Sequence, residues 1–364
     1  MVNIIRRNLV DLPTNYSLNY FWCSGFVISV FMVFQVVTGV ILSFLYVSEV
    51  NLRFLNVMCY SRDSFLCWCV RYWHIWGVNL LFILFFVHMG RALYYSSYDK
   101  KGVWKIGFIL YLLLMGEAFT GYILPWHQMS YWAATVLTSV VDSLPLIGPI
   151  LYKYVVGGFS VTNITLIRVF SVHVCLGFIM LGLMILHLYY LHKSGSNNPL
   201  SYSCSFSDLV YFHSYFTVKD FMMFLALCFL VLFLMFYCPD LLMDVEGYLE
   251  ADPLKTPMSI KPEWYFLAFY TILRCINSKL GGLALIVAFL FFLWIPTSKN
   301  SRVYFVVRQL KFWLIVRLFR SLIYFGGCHP EYPYLCICQI FRVLLIALMF
   351  SYKLFWGSTG LADF

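Results

Sequence analysis

The chain has 364 residues, of which 62% are hydrophobic, 20% aromatic and only 11% charged. About a quarter of the residues of an ordinary soluble domain carry charge, so the composition excludes that class and points to a chain that crosses a membrane many times. The net charge of +9 reads as a topology signal in short loops, not as a nucleic-acid footprint.

In chain order, Met1–Tyr20 contains charges, Asn and Pro but no apolar core of the kind a cleavable signal needs. The first span is therefore expected to act as its own insertion signal. Eight spans of roughly bilayer length follow, at 22–46, 70–95, 104–124, 166–191, 221–238, 281–296, 311–326 and 335–356. An even number leaves both termini on one side. Arg6, Arg7, Arg91, Lys100, Lys101 and Lys105, then Lys299, Arg302, Arg308 and Lys311, gather on that side, which the positive-inside rule makes the side of synthesis. The fifth connection, with Asp240, Asp244, Glu246, Glu250, Asp252 and Glu263, suits the opposite face.

The second and fourth spans carry histidines at one interval, His74/His88 and His173/His187. Fourteen helical residues fall within about 40° of four turns and rise about 21 Å, so each helix presents two imidazoles on one face at two depths. Intramembrane ionisable groups are costly and usually functional. The two spans run in the same direction, which pairs His74 with His173 and His88 with His187. Two stacked bis-histidine sites suit two haems spanning a membrane. Gly25/Gly39 on the first span and Gly107/Gly121 on the third repeat the interval. A flat macrocycle edge can approach a backbone that lacks a β-carbon. Arg71 and Arg91 stand about one turn beyond the two ends of the histidine pair, where haem propionates need cations.

Most cysteines read as scattered buried thiols: Cys23, Cys175 and Cys228 fall within spans, and Cys67 and Cys69 are one residue apart. Cys328, His329, Cys336 and Cys338 form the one cluster with ligand types, but Pro330 and Pro333 interrupt it and its spacing fits no zinc finger. A structural loop is expected there.

The chain resembles the cytochrome b family, the core subunit of the cytochrome bc1 complex (respiratory complex III), in its undivided mitochondrial and bacterial form. The resemblance runs from about Asp11 to Pro296. It rests on Gly121-Tyr-Ile-Leu-Pro-Trp126, Met129-Ser-Tyr-Trp132, Gly157-Gly-Phe-Ser160, Gly195-Ser-Asn-Asn-Pro199, Asp252-Pro253 and Pro262-Glu-Trp-Tyr265. His127 and Ala133 stand where the family usually has glycine, and residues beyond about 297 match in hydropathy only.

The resemblance implies an all-α polytopic membrane protein. Residues 1–215 would form the dihaem four-helix bundle from the first four spans, and residues 216–364 a C-terminal four-helix region. Quinol oxidised at an outer pocket would yield two electrons and two protons. One electron would leave to a Rieske iron–sulfur protein, and the other would cross the two b haems to reduce quinone at an inner pocket. Glu263 is expected to take the quinol proton, the competing reading being a cap on the short helix that Pro262 opens. Tyr122, Trp132, Ala133, Ile260 and Tyr265 would line the outer pocket, with the Ala133 methyl crowding a rigid inhibitor. His192, Ser196, Lys219 and Asp220 would bind the inner quinone and relay its protons. No Cys-x-x-Cys-His haem attachment is present, so cytochrome c1 and the Rieske protein are expected as separate chains of a dimeric complex with other subunits and membrane lipid. The implied location is the mitochondrial inner membrane, with both termini in the matrix and ubiquinol as substrate. A dihaem anchor of a quinone-linked dehydrogenase would also pair membrane histidines but would not need Pro262-Glu-Trp-Tyr265. A transporter should show inverted repeats with helices broken at midplane.

Overall fold

The structure, a computed structural model, describes residues 6–200, 206–294 and 306–354. Lys299, Arg302, Pro296, the last residues of the expected spans 281–296 and 335–356, and the tail 355–364 lie outside the described residues. Twelve α-helices are present among the described residues: α1 (Ser24–Ser43), α2 (Val50–Asp63), α3 (Cys67–Tyr94), α4 (Lys101–Ile123), α5 (Gln128–Asp142), α6 (Gly148–Val156), α7 (Asn163–Ser194), α8 (Phe212–Tyr237), α9 (Leu267–Arg274), α10 (Lys279–Trp294), α11 (Val306–Gly326) and α12 (Tyr334–Leu354). The all-α expectation gains one small exception. Strands β1 (Pro13–Asn15) and β2 (Leu209–Tyr211) pair antiparallel, Thr14 opposite Val210, and clip the N-terminal segment to the start of α8.

Among the described residues, six helices are long and apolar enough to cross a bilayer: Tyr20–Ser43, which takes in α1, then α3, α4, α7, α8 and α12 through Tyr352. The sixth expected span, as far as it is described, is the 16-residue apolar α10, about 24 Å long. The seventh is α11, whose Arg308, Lys311, Arg317 and Arg320 make it the most cationic of the eight. The fifth begins well before residue 221, because α8 continues through the polar residues preceding Lys219 with a break at His213 and Ser214. At 32 residues, α7 is about 48 Å long. That exceeds a hydrocarbon core of about 30 Å and carries its last turn, with His192, beyond the apolar layer.

The helix ends follow local chemistry. Thr162 and Thr165 form a capping box at the start of α7, and Gly157, at φ +81°, ends α6 in the left-handed conformation that glycine adopts freely. α1 packs along α3 and α4 along α7, and α1 also touches α7, which assembles the four helices into one bundle. Phe31 of α1, Phe82 of α3, Tyr111 of α4, Met180 of α7 and Tyr265 and Ile272 of the C-terminal region belong to one continuous buried core. The bundle has two unlike ends. The β1/β2 sheet marks one, and α2, α5, α6, α9 and the 238–263 connection crowd the other, hereafter the loop-rich end.

Candidate functional site: two histidine pairs and one shared cavity

The structure brings the histidines together across the bundle. The rings of His74 and His173 lie 6.3 Å apart between centroids toward the loop-rich end, and those of His88 and His187 lie 6.5 Å apart toward the sheet end. Four glycines stand behind them. A β-carbon built on Gly25 would come within 3.3 Å of His88 Cε1, on Gly39 within 3.3 Å of His74 Cε1, on Gly107 within 3.0 Å of His187 Cε1 and on Gly121 within 2.7 Å of His173 Cε1. The repeated glycines therefore clear space for the imidazoles themselves. The fourteen-residue period on α1 and α4 matches that on α3 and α7 because each glycine serves one ring.

Hydroxyl groups one residue before three of these glycines orient the rings. Ser24 Oγ lies 3.0 Å from His88 Nδ1, Thr38 Oγ1 2.9 Å from His74 Nδ1 and Thr120 Oγ1 3.4 Å from His173 Nδ1. Each hydroxyl already donates its proton to a backbone carbonyl, of Phe21, Phe34 and Gly116 respectively. The oxygen is thus left to accept from Nδ1–H. His173 Nδ1 also donates to the Glu117 carbonyl at 3.0 Å. A carbonyl can only accept, so at His173 the proton is on Nδ1 and the free lone pair is on Nε2, the nitrogen a metal needs. Two facing imidazoles whose centroids are just over 6 Å apart leave room between them for one metal with bonds of about 2 Å. The residues present therefore fit a bis-histidine centre at both depths. None of Ser24, Thr38, Glu117 or Thr120 was singled out from sequence, although the Ser/Thr-Gly dipeptides at 24–25, 38–39 and 120–121 are a readable signal.

At the loop-rich end a cavity of about 280 Å3 joins this pair to the long connection. His74, His173, Gly39, Gly121 and Arg71 line it together with Tyr122, His127, Glu263 and Tyr265. Glu263 precedes the 3-10 turn Trp264–Phe266 but makes no capping hydrogen bond with its side chain, which overturns the cap reading of that carboxylate. Burial, with Asp244 adding repulsion and Lys261 opposing it, raises the Glu263 carboxyl to about 7. Its neighbours are held firmly. Trp264 Nε1 donates to Asn79 Oδ1 at 2.7 Å, and Tyr265 stacks on Phe82 with centroids 3.8 Å apart. Lys261 pairs with Asp244 at 3.1 Å.

His127 has a structural role. It caps α5, its Nδ1 accepting from the Ser130 backbone N–H at 3.1 Å, and burial lowers it to about 3, so it stays neutral. The helix starts at Gln128, five residues before Ala133. Trp132 and Ala133 are absent from the cavity lining; Trp132 packs instead against the separate core of Tyr131, Ala134 and Leu166. Ile260 is likewise off the lining, and its carbonyl accepts from Tyr270 Oη at 2.8 Å.

The sheet end is more dispersed. Arg91 turns back onto its own helix, with Nη2 3.5 Å from His88 Nδ1 and its guanidinium over the Trp22 ring at 5.2 Å. Lys219 lies over Tyr215 at 4.4 Å, while Asp220 is buried against the Cys23 thiol. His192 and Ser196 stand at the far end of α7, where Lys100 Nζ donates to the Ser194 carbonyl at 3.0 Å. No hydrogen bond or ion pair joins His192 or Ser196 to Lys219 or Asp220 among the described residues. Of the cysteine cluster, Cys338 hydrogen-bonds Cys275 at the end of α9.

Comparison with known proteins agrees with this geometry. The cytochrome b/b6/petB family model matches residues 9–195, and the cytochrome b(C-terminal)/b6/petD model matches residues 250–346. The chain belongs to the cytochrome b family. A solved structure of a hyperthermophilic respiratory complex III contains a chain that superposes on this cytochrome b with a TM-score of 0.91 at 28% identity. The match covers 97% of this chain and 95% of that one.

Proposed function

We propose that this cytochrome b is the core subunit of a respiratory complex III and takes part in quinol–cytochrome c reduction. The observation that carries the reading is the single cavity shared by the His74/His173 pair and Glu263. Two b haems, one held by His74 and His173 and one by His88 and His187, would supply one-electron carriage along the bundle between an outer quinol site and an inner quinone site. Gly25, Gly39, Gly107 and Gly121 keep the ring positions open, and Arg71 and Arg91 supply positive charge at the two levels. In this reading, residues 1–215 are the dihaem bundle and residues 216–364 contribute the Glu263 loop.

The protein's own work at the outer site is proton handling and packing. Quinol oxidation releases two protons with its two electrons, and Glu263, buried yet free of capping bonds, can accept one and pass it toward the Asp244/Lys261 rim. Tyr122 and Tyr265 wall the ring. Trp132 and Ala133 lie on α5 off the cavity wall and would act on this site only through that helix. At the sheet end, His192, Ser196, Lys219 and Asp220 would orient the inner quinone and deliver protons. The Rieske iron–sulfur protein, cytochrome c1 and a second copy of the complex complete the assembly. The broad exposed apolar faces of α7, including Val172, Phe178, Ile179 and Ile185, suit lipid or a partner helix. Ubiquinol as substrate, the mitochondrial inner membrane as location and termini on the matrix side follow from the resemblance and from the loop charges.

A reduced-minus-oxidised spectrum of the purified complex tests the reading. Two b-type signals that titrate at different potentials are expected, and their absence would sink it.

A further inference from the structure

Arg53 on α2 is among the most deeply buried side chains of the molecule, 1% exposed, although it lies in a connection with mixed polarity. Its guanidinium is clamped. The Cζ atom lies 3.8 Å from the Tyr46 ring centroid and 5.8 Å from that of Tyr60, Nη1 donates to the Val47 carbonyl and to Asn56 Oδ1 at 3.2 Å each, and Nη2 donates to Tyr60 Oη at 3.5 Å. All of these partners are neutral. Nε is buried with no hydrogen-bond partner, and no carboxylate lies within ion-pair distance of Arg53 among the described residues. A buried cation without a counter-charge is costly, and such groups are found paired.

The position of Arg53 shows where the counter-charge belongs. Arg53, Tyr46 and Tyr60 line the same cavity as His74, His173 and Arg71. Arg71, whose Nη1 donates to Ser61 Oγ at 3.3 Å, is also without an acidic partner. The acids that share the cavity are otherwise placed: Asp244 pairs with Lys261 at 3.1 Å, Glu117 lies 3.3 Å from His173 Nδ1, and Glu263 has no ion pair with either arginine. Two guanidiniums thus face a cavity built around a bis-histidine centre, and both lack the anion they were placed to meet.

Resting on the dihaem reading, we propose that Arg53 is a second carboxylate partner of the outer haem: held flat on Tyr46, its fork binds a propionate of the haem carried by His74 and His173, alongside Arg71. Arginine suits the task because it presents several donors in a rigid plane that matches a carboxylate. The fixed positive charge also favours the reduced form of the nearby centre, since adding an electron beside a cation lowers the energy of the product.

The test is potentiometric titration of the two b-type signals in the assembled complex, native and with Arg53→Gln and Arg53→Lys. Arg53→Gln should lower the reduction equilibrium constant of the outer haem about tenfold, about 59 mV for one electron, or release that haem altogether. The inner signal should stay unmoved, and Arg53→Lys should retain the outer signal near its native potential. A native outer potential in Arg53→Gln, or Gln and Lys variants that behave alike, would overturn the proposal. Absence of both signals from the native complex would instead overturn the functional reading on which it rests.

Discussion

The two ends of the bundle carry the same histidine pair in unlike surroundings. Ring separations of 6.3 and 6.5 Å are nearly equal, because a shared fourteen-residue period on four helices sets both. Around the pair at the loop-rich end, α2, α4 and the 238–263 connection enclose one cavity with Arg53, Arg71, Glu117 and Glu263 on its walls. Around the other pair, Arg91 folds against His88 and Trp22, and the candidate quinone residues stand apart on α7 and α8. Helix periodicity can thus duplicate a metal site, but it cannot duplicate a pocket, which depends on what the connections bring to each end.

The largest effects should come from breaking one pair while sparing the other. His74→Leu or His173→Leu should erase the outer b signal and stop quinol oxidation, and His88→Leu or His187→Leu should erase the inner one, because each substitution removes one of the two imidazoles that face each other at that depth. Loss of both signals from any one substitution would show that the ends are not independent.

Next comes Glu263, the carboxylate of the loop-rich cavity that has neither a capping bond nor an ion pair. Glu263→Gln should reduce quinol turnover roughly 10²- to 10⁴-fold, the range ordinarily lost with a general base, while both haem signals persist. The pH profile carries the sign. A carboxyl raised to about 7 is protonated and idle below that pH and ionised above it, so native turnover should climb as pH rises through about 7, and the glutamine variant should lack that climb. A variant with an unchanged profile would remove Glu263 from the chemistry.

The glycines sharpen the comparison by degrees. Gly121→Ala should disturb its pair more than Gly25→Ala, since the added carbon lies 2.7 Å from His173 Cε1 in one case and 3.3 Å from His88 Cε1 in the other. Overpacking of this kind costs roughly 1–3 kcal/mol. Weaker binding of the outer haem on heating in Gly121→Ala, with the inner haem spared in Gly25→Ala, is the expected result, and equal sensitivity of the two would contradict these clearances. The smallest effect concerns His127→Ala, which removes an N-cap acceptor and should lower the thermal stability of the complex by roughly 0.5–2 kcal/mol without altering either haem potential. A large shift in the outer potential would mean that His127 does more than cap α5.

Several features were legible because they depend on residues of one helix. Hydropathy over long windows revealed the spans, and the period of His74/His88, His173/His187, Gly25/Gly39 and Gly107/Gly121 revealed which faces meet. Boundaries were less legible. α8 begins at Phe212 rather than near residue 221, since polar residues at a bilayer edge continue a helix as readily as apolar ones do. Ala133 looked like a pocket residue from its place after Trp132, yet α5 starts five residues earlier and Ala133 stays off the cavity wall.

By itself, the amino-acid sequence determined the membrane-spanning all-α class, the pairing of four histidines at two depths and the family, because each follows from composition, helical period or a contiguous motif. Tertiary structure alone decided that Glu263 is free of capping bonds, that Ser24, Thr38 and the Glu117 carbonyl meet the Nδ1 atoms of His88, His74 and His173, and that Arg53 joins Arg71 at the outer cavity. Those groups lie on different helices and connections, and Arg53 and Glu263, which share the outer cavity, are 210 residues apart in the chain. They meet only when the bundle closes, and no local spacing rule encodes a contact of that kind.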